Sequence, residues 1–149
     1  MWIETENNGD EIRNYFSSKE KLIINEKIFS IIAHQSGNTG SMITTDGISE
    51  SGIHSKEDAI VMSKIGLAFY KLLKNAPDFR YALTGIEVDG WREFDELVEF
   101  PNDFNNLKGF VMNKEMYKQI NSTVKMIDFK NEYLWIPYEG ETYIERNAK

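Results

Sequence analysis

Ser55-Lys56-Glu57-Asp58-Ala59-Ile60-Val61-Met62-Ser63-Lys64-Ile65-Gly66-Leu67-Ala68-Phe69-Tyr70-Lys71-Leu72-Leu73-Lys74 is the stretch whose reading decides the fold. Ile60, Val61, Ile65, Leu67, Ala68, Phe69, Leu72 and Leu73 recur at helical spacing and give a broad apolar face. Ser55 with Asp58 three residues on resembles a capping box, in which a hydroxyl accepts from an orphan amide and an acid reaches back. Lys71 and Lys74 suit the negative end of the helix dipole. Pro77 has no amide hydrogen to continue the ladder. The pattern predicts one helix over 55–74, with Leu67 and Phe69 facing the core.

Moving toward the N-terminus, Asp46 to His54 is a polar loop with two glycines, and Met42 to Thr45 reads as a short strand. A turn at Ser36-Gly37-Asn38-Thr39-Gly40 precedes it. Lys21 to Asn25 and Ile28 to His34 are rich in isoleucine. They form either a hairpin through Asn25-Glu26-Lys27 or one helix over 18–34, and the β-branched residues favour strands. Asp10 to Phe16 places Ile12, Tyr15 and Phe16 on one helical face, after a turn at Asn8-Gly9. Met1 to Thr5 reads as a strand.

Toward the C-terminus, Phe79 to Val88 alternates as a strand does, and Asp89-Gly90 is a turn signal. Trp91 to Phe100 fits strand or helix, closed by Pro101. Leu107 to Met112 reads as a strand, and Asn113 caps a short helix to Ile120 with Glu115 in its first turn. Val124 to Phe129 and Glu132 to Ile136 read as a hairpin. The tail from Gly140 is polar and expected to be loosely held.

The count is one long helix, two shorter ones and six or seven strands. The strands come in neighbouring runs and do not alternate with helices as a doubly wound sheet requires. The expectation is a single α+β domain over 1–149, a mainly antiparallel sheet packed against the long helix. A hydrophobic share of 41% and 149 residues are enough to bury a core without staples.

Composition narrows the chemistry. There is no cysteine, which removes disulfides and thiolate metal sites. Only His34 and His54 offer imidazole, and their spacing matches no ligand motif. Ser36-Gly37-Asn38-Thr39-Gly40-Ser41 lacks the lysine of a phosphate loop and the glycine spacing of a dinucleotide fingerprint, so it reads as a plain turn. No Gly-x-Ser-x-Gly elbow is present. No run reaches the ~18 apolar residues of a membrane span, and Met1-Trp2-Ile3-Glu4-Thr5-Glu6 lacks the apolar centre of a signal peptide. The cytoplasm is the expected compartment.

Charge is the informative feature. The net is −7, and residues 75–106 carry a net of −6 against −2 for residues 1–74 and +1 for residues 107–149. Nucleic acid and anionic membranes are therefore not expected partners, since both need a basic surface. Within the acidic stretch Glu87, Asp89, Glu93, Asp95, Glu96, Glu99 and Asp103 interleave with Trp91, Phe94, Phe100 and Phe104. Aromatic anchors among steering carboxylates suit docking to a basic protein surface. The plain structural alternative puts the rings in the core and the acids in solvent.

The candidate partner-binding set is Glu87, Asp89, Trp91, Glu93, Asp95, Glu96, Glu99 and Asp103. The functional expectation is an acidic protein-binding module, in its sharpest form an immunity-type inhibitor that occupies the basic site of a nuclease-like toxin. That is a likeness of type, with no quotable motif behind it. Two alternatives stand beside it: a carboxylate enzyme gathering a divalent metal at Asp89, Glu93, Asp95 and Glu99, and an accessory bacterial protein. No cofactor is expected.

Overall fold

The isoleucine-rich run that admits two readings is a hairpin in the computed structural model, which describes residues 1–48, 52–85 and 93–145. Strands β2 (Lys21–Ile24) and β3 (Lys27–Ser36) are joined by Asn25 and Glu26, both at positive φ, with Ile24 opposite Lys27. Two left-handed residues match the twist of the strands they join. Asparagine tolerates that conformation, and the flanking isoleucines disfavour a helix.

Chain order runs β1 (Trp2–Glu4), α1 (Gly9–Ser17), β2, β3, β4 (Gly40–Thr45), α2 (Lys56–Leu73), β5 (Tyr81–Leu83), α3 (Phe94–Glu99), β6 (Val111–Asn113), α4 (Lys114–Ile120), β7 (Ile127–Lys130) and β8 (Tyr133–Trp135). The eight strands among the described residues make one sheet in the order β2-β3-β4-β1-β5-β6-β8-β7. Every neighbouring pair is antiparallel. The fold is α+β, as the strand runs predict.

Register decides what each face carries, because successive side chains point to opposite sides. Ile3 lies opposite Ser41 and Ala82, and Ala82 lies opposite Val111. With Ile31 and Ile43 they meet Ile12 and Phe16 of α1 and Ile65, Phe69 and Leu73 of α2. Trp2 lies opposite Met42 and Leu83 on the other side. There Trp2, Tyr81, Leu83 and Met112 meet Leu97 of α3 and Met116 and Ile120 of α4. The sheet thus separates two cores: α1 and α2 cover one face, α3 and α4 the other.

Helix α2 begins as its sequence indicates. Ser55 Oγ accepts from the Asp58 amide at 3.0 Å, while the Asp58 carboxylate accepts from the His54 amide at 3.1 Å, one residue before the cap. One expectation for α2 is corrected. Leu67 is 46% exposed, whereas Phe69 is buried. The buried row is Ala59, Ile65, Gly66, Phe69, Tyr70 and Leu73, and Leu67 falls outside it.

Other boundaries shift for local reasons. Of the strand expected over 79–88, residues 86–88 lie outside the described residues; it is described at 81–83 and starts late because the amide and carbonyl of Phe79 bond to the Tyr133 hydroxyl, both at 3.0 Å. The Leu107 amide bonds back to Phe104 and that of Phe110 to Leu107, so 107–110 turns, and the strand proper is 111–113, although Gly109 and Phe110 still exchange backbone bonds with Ile136. The ambiguous 91–100 stretch contains a third short helix, α3. The tail is held better than its polarity suggests. The Glu141 amide donates to Ser63 Oγ at 2.7 Å, and the Tyr138 hydroxyl donates to Glu141 Oε1 at 2.8 Å. Gly66 makes room for this contact: a Cβ there would stand 2.6 Å from the Tyr138 oxygen.

Candidate functional site

The acidic stretch is built around α3. The Glu93 amide donates to Glu96 Oε2 at 2.8 Å, closing the first turn. Asp95 and Glu96 lie in that turn, and Leu97 is fully buried, turned into the second core. Helical spacing then leaves Asp95, Val98 and Glu99 on the outward side, and all three are exposed. Glu93, Glu96 and Asp103 are exposed as well. Of the aromatics, Phe104 is core, Phe94 is half-buried against the second core, and Phe100 is 49% exposed. Glu87, Asp89 and Trp91 lie outside the described residues. The structure therefore assembles Glu93, Asp95, Glu96 and Glu99 on one short helix.

Beside that helix is a cleft of about 820 Å³, lined by side chains no local pattern connects. Glu6 comes from the β1–α1 loop, Glu11 from α1, Asp78 from the segment before β5, and Glu115 from α4. Phe94 of α3 forms part of its wall. These carboxylates are all exposed. Local structure sets them in place. The Asn8 side-chain amide donates to the Asp78 carbonyl at 2.7 Å, tying the start of α1 to the segment before β5. Asn113 Oδ1 accepts from the Glu115 amide at 2.8 Å and caps α4.

Among the described residues Arg80 is the one cationic side chain in the lining. Its guanidinium lies 3.5 Å from Glu6 Oε1 and 5.1 Å from the centre of the Phe94 ring. It is thus placed between an acid and an aromatic face, a geometry that favours a cation on both counts. Its backbone is pinned too, since the Arg80 amide donates to the Glu4 carbonyl at 2.8 Å.

Behind Arg80 the sheet buries a carboxyl. Glu4 is 3% exposed and lies opposite Gly40 and Tyr81. Burial pushes its pKa above the ordinary value, a hydrogen bond with Thr39 and the charge of Arg80 pull it back, and Glu93 adds to the rise. Burial likewise pushes the Tyr81 hydroxyl up, reinforced by Glu4. Glu93, at the start of α3, adds to the rise of both groups.

Sequence reasoning singled out the acidic stretch that carries α3, without deciding between strand and helix, and missed the cleft. Glu6, Glu11 and Glu115 lie outside the acidic stretch, so a charge map along the chain gives no signal for them. Asp78 lies inside that stretch, but its position next to Pro77 marks a helix stop and nothing more. Among the described residues no three His, Cys, Asp or Glu side chains converge as a metal site needs, and no helix is long and apolar enough to cross a membrane. The Ser36–Gly40 segment is the turn between β3 and β4. No protein-family model, curated protein or solved structure matches this chain.

Proposed function

We propose that this chain is an acidic binding module that takes a basic segment of a protein partner into the cleft beside α3. The observation that supports it is the convergence of Glu6, Glu11, Asp78 and Glu115 from four separate segments around one cavity, with Arg80 as the only cation among its described lining residues. Four such carboxylates focus a negative potential, and Phe94 offers a ring for an arginine or lysine stem. Glu93, Asp95, Glu96 and Glu99 extend the field and steer encounter, with Glu87, Asp89, Trp91 and Asp103 in the same acidic stretch of the sequence. In the sharpest form of this reading the partner is a cytoplasmic nuclease-like toxin, whose phosphate-binding site the carboxylates fill.

The test uses an arginine-rich peptide as probe, titrated by fluorescence anisotropy at several salt concentrations. Binding that weakens steeply with salt is expected. Glu11→Gln with Glu115→Gln should weaken it about tenfold, because two of the four cleft charges are removed. Equal affinity in wild type and variant would overturn the reading. So would tight divalent-metal binding by calorimetry that is lost in Asp95→Ala, which is the signature of a carboxylate enzyme.

A further inference from the structure

One position in the cleft already holds a cation, and that cation belongs to the chain itself. Arg80 comes immediately before β5, and its backbone is fixed on both sides. Its amide donates to the Glu4 carbonyl at 2.8 Å, and its carbonyl accepts from the Asn113 amide at 2.9 Å. Its side chain, 30% exposed, fills the gap between Glu6 and Phe94. All three residues line the cleft. A guanidinium between a carboxylate and an aromatic face is an arrangement by which proteins recognise arginine. Here the arginine is internal.

We propose that the gap between Glu6 and Phe94 is the subsite for an arginine of the partner, and that Arg80 occupies it as a displaceable stand-in until that arginine arrives. The subsite presupposes a cleft that takes a basic segment, the function proposed above, and it adds which cation that segment carries. The internal contact is incomplete. At 3.5 Å the Arg80–Glu6 pair is longer than the roughly 2.7–2.9 Å of a charge-assisted hydrogen bond. The Glu6 side chain is 76% exposed, and a pair so open to water is weak. An arginine arriving from solvent has no tether to β5. Glu6 can turn to meet its fork with two parallel bonds, which is the strong form of this pair.

Exchange of one guanidinium for another keeps a positive charge beside Glu6 and near the buried Glu4 carboxyl, which the charge of Arg80 helps to ionise. Only the tether changes. While Arg80 is in place the partner meets a filled subsite, and its apparent affinity falls by the fraction of molecules in which the subsite is open. A lysine gains less from the exchange. Its ammonium has no planar fork to lie flat on the Phe94 ring and bond Glu6 in two places at once. Arg80 thus sets a threshold that an arginine crosses more readily than a lysine, and it filters the cleft against basic surfaces in general.

Fluorescence anisotropy of the full chain with two labelled peptides of equal length and charge, one rich in arginine and one in lysine, provides the test. Wild type should bind the arginine peptide more tightly. Arg80→Gln should tighten the arginine peptide about fivefold, because the subsite is opened. The lysine peptide should tighten only about twofold, from the loss of one repelling charge. Phe94→Leu should abolish the preference for arginine. The stand-in is overturned if Arg80→Gln weakens the arginine peptide, leaves it unchanged or tightens both peptides equally. It is equally overturned if wild type ranks the two peptides alike or if the preference survives Phe94→Leu. Wild type offers a second readout that needs no variant to fold. The Arg80 Nε–H resonance, shifted by the Phe94 ring in the free protein, should lose that shift as the arginine peptide saturates the cleft; an unmoved resonance at saturation overturns the stand-in. Binding that is lost in Glu11→Gln with Glu115→Gln but indifferent to Arg80→Gln removes the stand-in and leaves the cleft. No binding of either peptide to wild type or to Arg80→Gln removes both.

Discussion

The two faces of the sheet are built by different means. On the first, α2 contributes 18 residues and α1 nine; on the second, α3 contributes six and α4 seven. Isolated helices shorter than ~12–15 residues are marginal in water. The α2 stretch therefore carries much of its own helical tendency, from its Ser55 cap to its lysine-rich end. The α3–α4 layer exists because Leu97, Met116 and Ile120 find Tyr81, Leu83 and Met112 beneath them. A long helix organises the face it covers, while short helices are organised by the sheet they rest on.

The strongest test of that contrast lies within α2. Phe69→Ala should destabilise the protein by about 3–5 kcal/mol in urea unfolding, the cost of an unfilled cavity under a fully buried ring. Leu67→Ala, two residues away, should change stability by less than ~1 kcal/mol because its side chain is half in water. Equal effects would dissolve the distinction between the buried and open sides of this helix.

Leu97→Ala tests the second face, with an expected loss of about 2–4 kcal/mol. Its distribution matters more than its size. Hydrogen exchange should show α3 and α4 losing protection while α2 keeps it, since short helices open locally. Uniform loss across α2 would mean that the two layers stand or fall together. Next in size, Gly66→Ala should cost about 1–3 kcal/mol, because its new methyl meets the Tyr138 ring and hydroxyl. Tyr138→Leu in the same chain should recover part of that loss; no recovery would remove the steric account.

The smallest effect is a slope against pH. The Glu4 carboxyl has a folded pKa above its ordinary value of 4.5. The folded state then holds that proton more tightly than the unfolded state, so this group's contribution to stability is lost as pH rises from about 4.5 through the folded pKa. Glu4→Gln should flatten the fall over that window and leave the protein more stable at neutral pH. Parallel stability profiles for the two proteins would show that the carboxyl is not buried in solution.

Much of the first face is legible in the sequence, and of the second α4, which Asn113 caps as expected, but not α3. Ser55, Pro77 and the apolar row between them mark α2 because a helix announces itself within one turn at each end. Which side of a broad apolar face turns inward depends on the neighbouring helix and sheet, hence the misplacement of Leu67. Glu93 is a weak capping residue, so the Glu93–Glu96 closure that starts α3 carries little sequence signal. The candidate site divides along the same line. The carboxylates of α3 are adjacent in the chain and stand out in a charge count. Those of the cleft come from residues 6, 11, 78 and 115 and meet only after the sheet has formed.

Strand β1 has a kinetic consequence. It is three residues long, and it alone joins the β2–β3–β4 meander to β5, β6, β8 and β7. Its partner Leu83 lies far along the chain from Trp2. The meander consists of two hairpins and can form from nearby residues quickly, whereas uniting the two halves must close a long loop before any ladder bond rewards it. The strand earliest in this sequence is therefore among the last to lock. Until it does, the nascent chain holds two partial sheets with open edges, and the rate at which Trp2-Ile3-Glu4 is captured between Met42 and Leu83 sets how long those edges stay exposed.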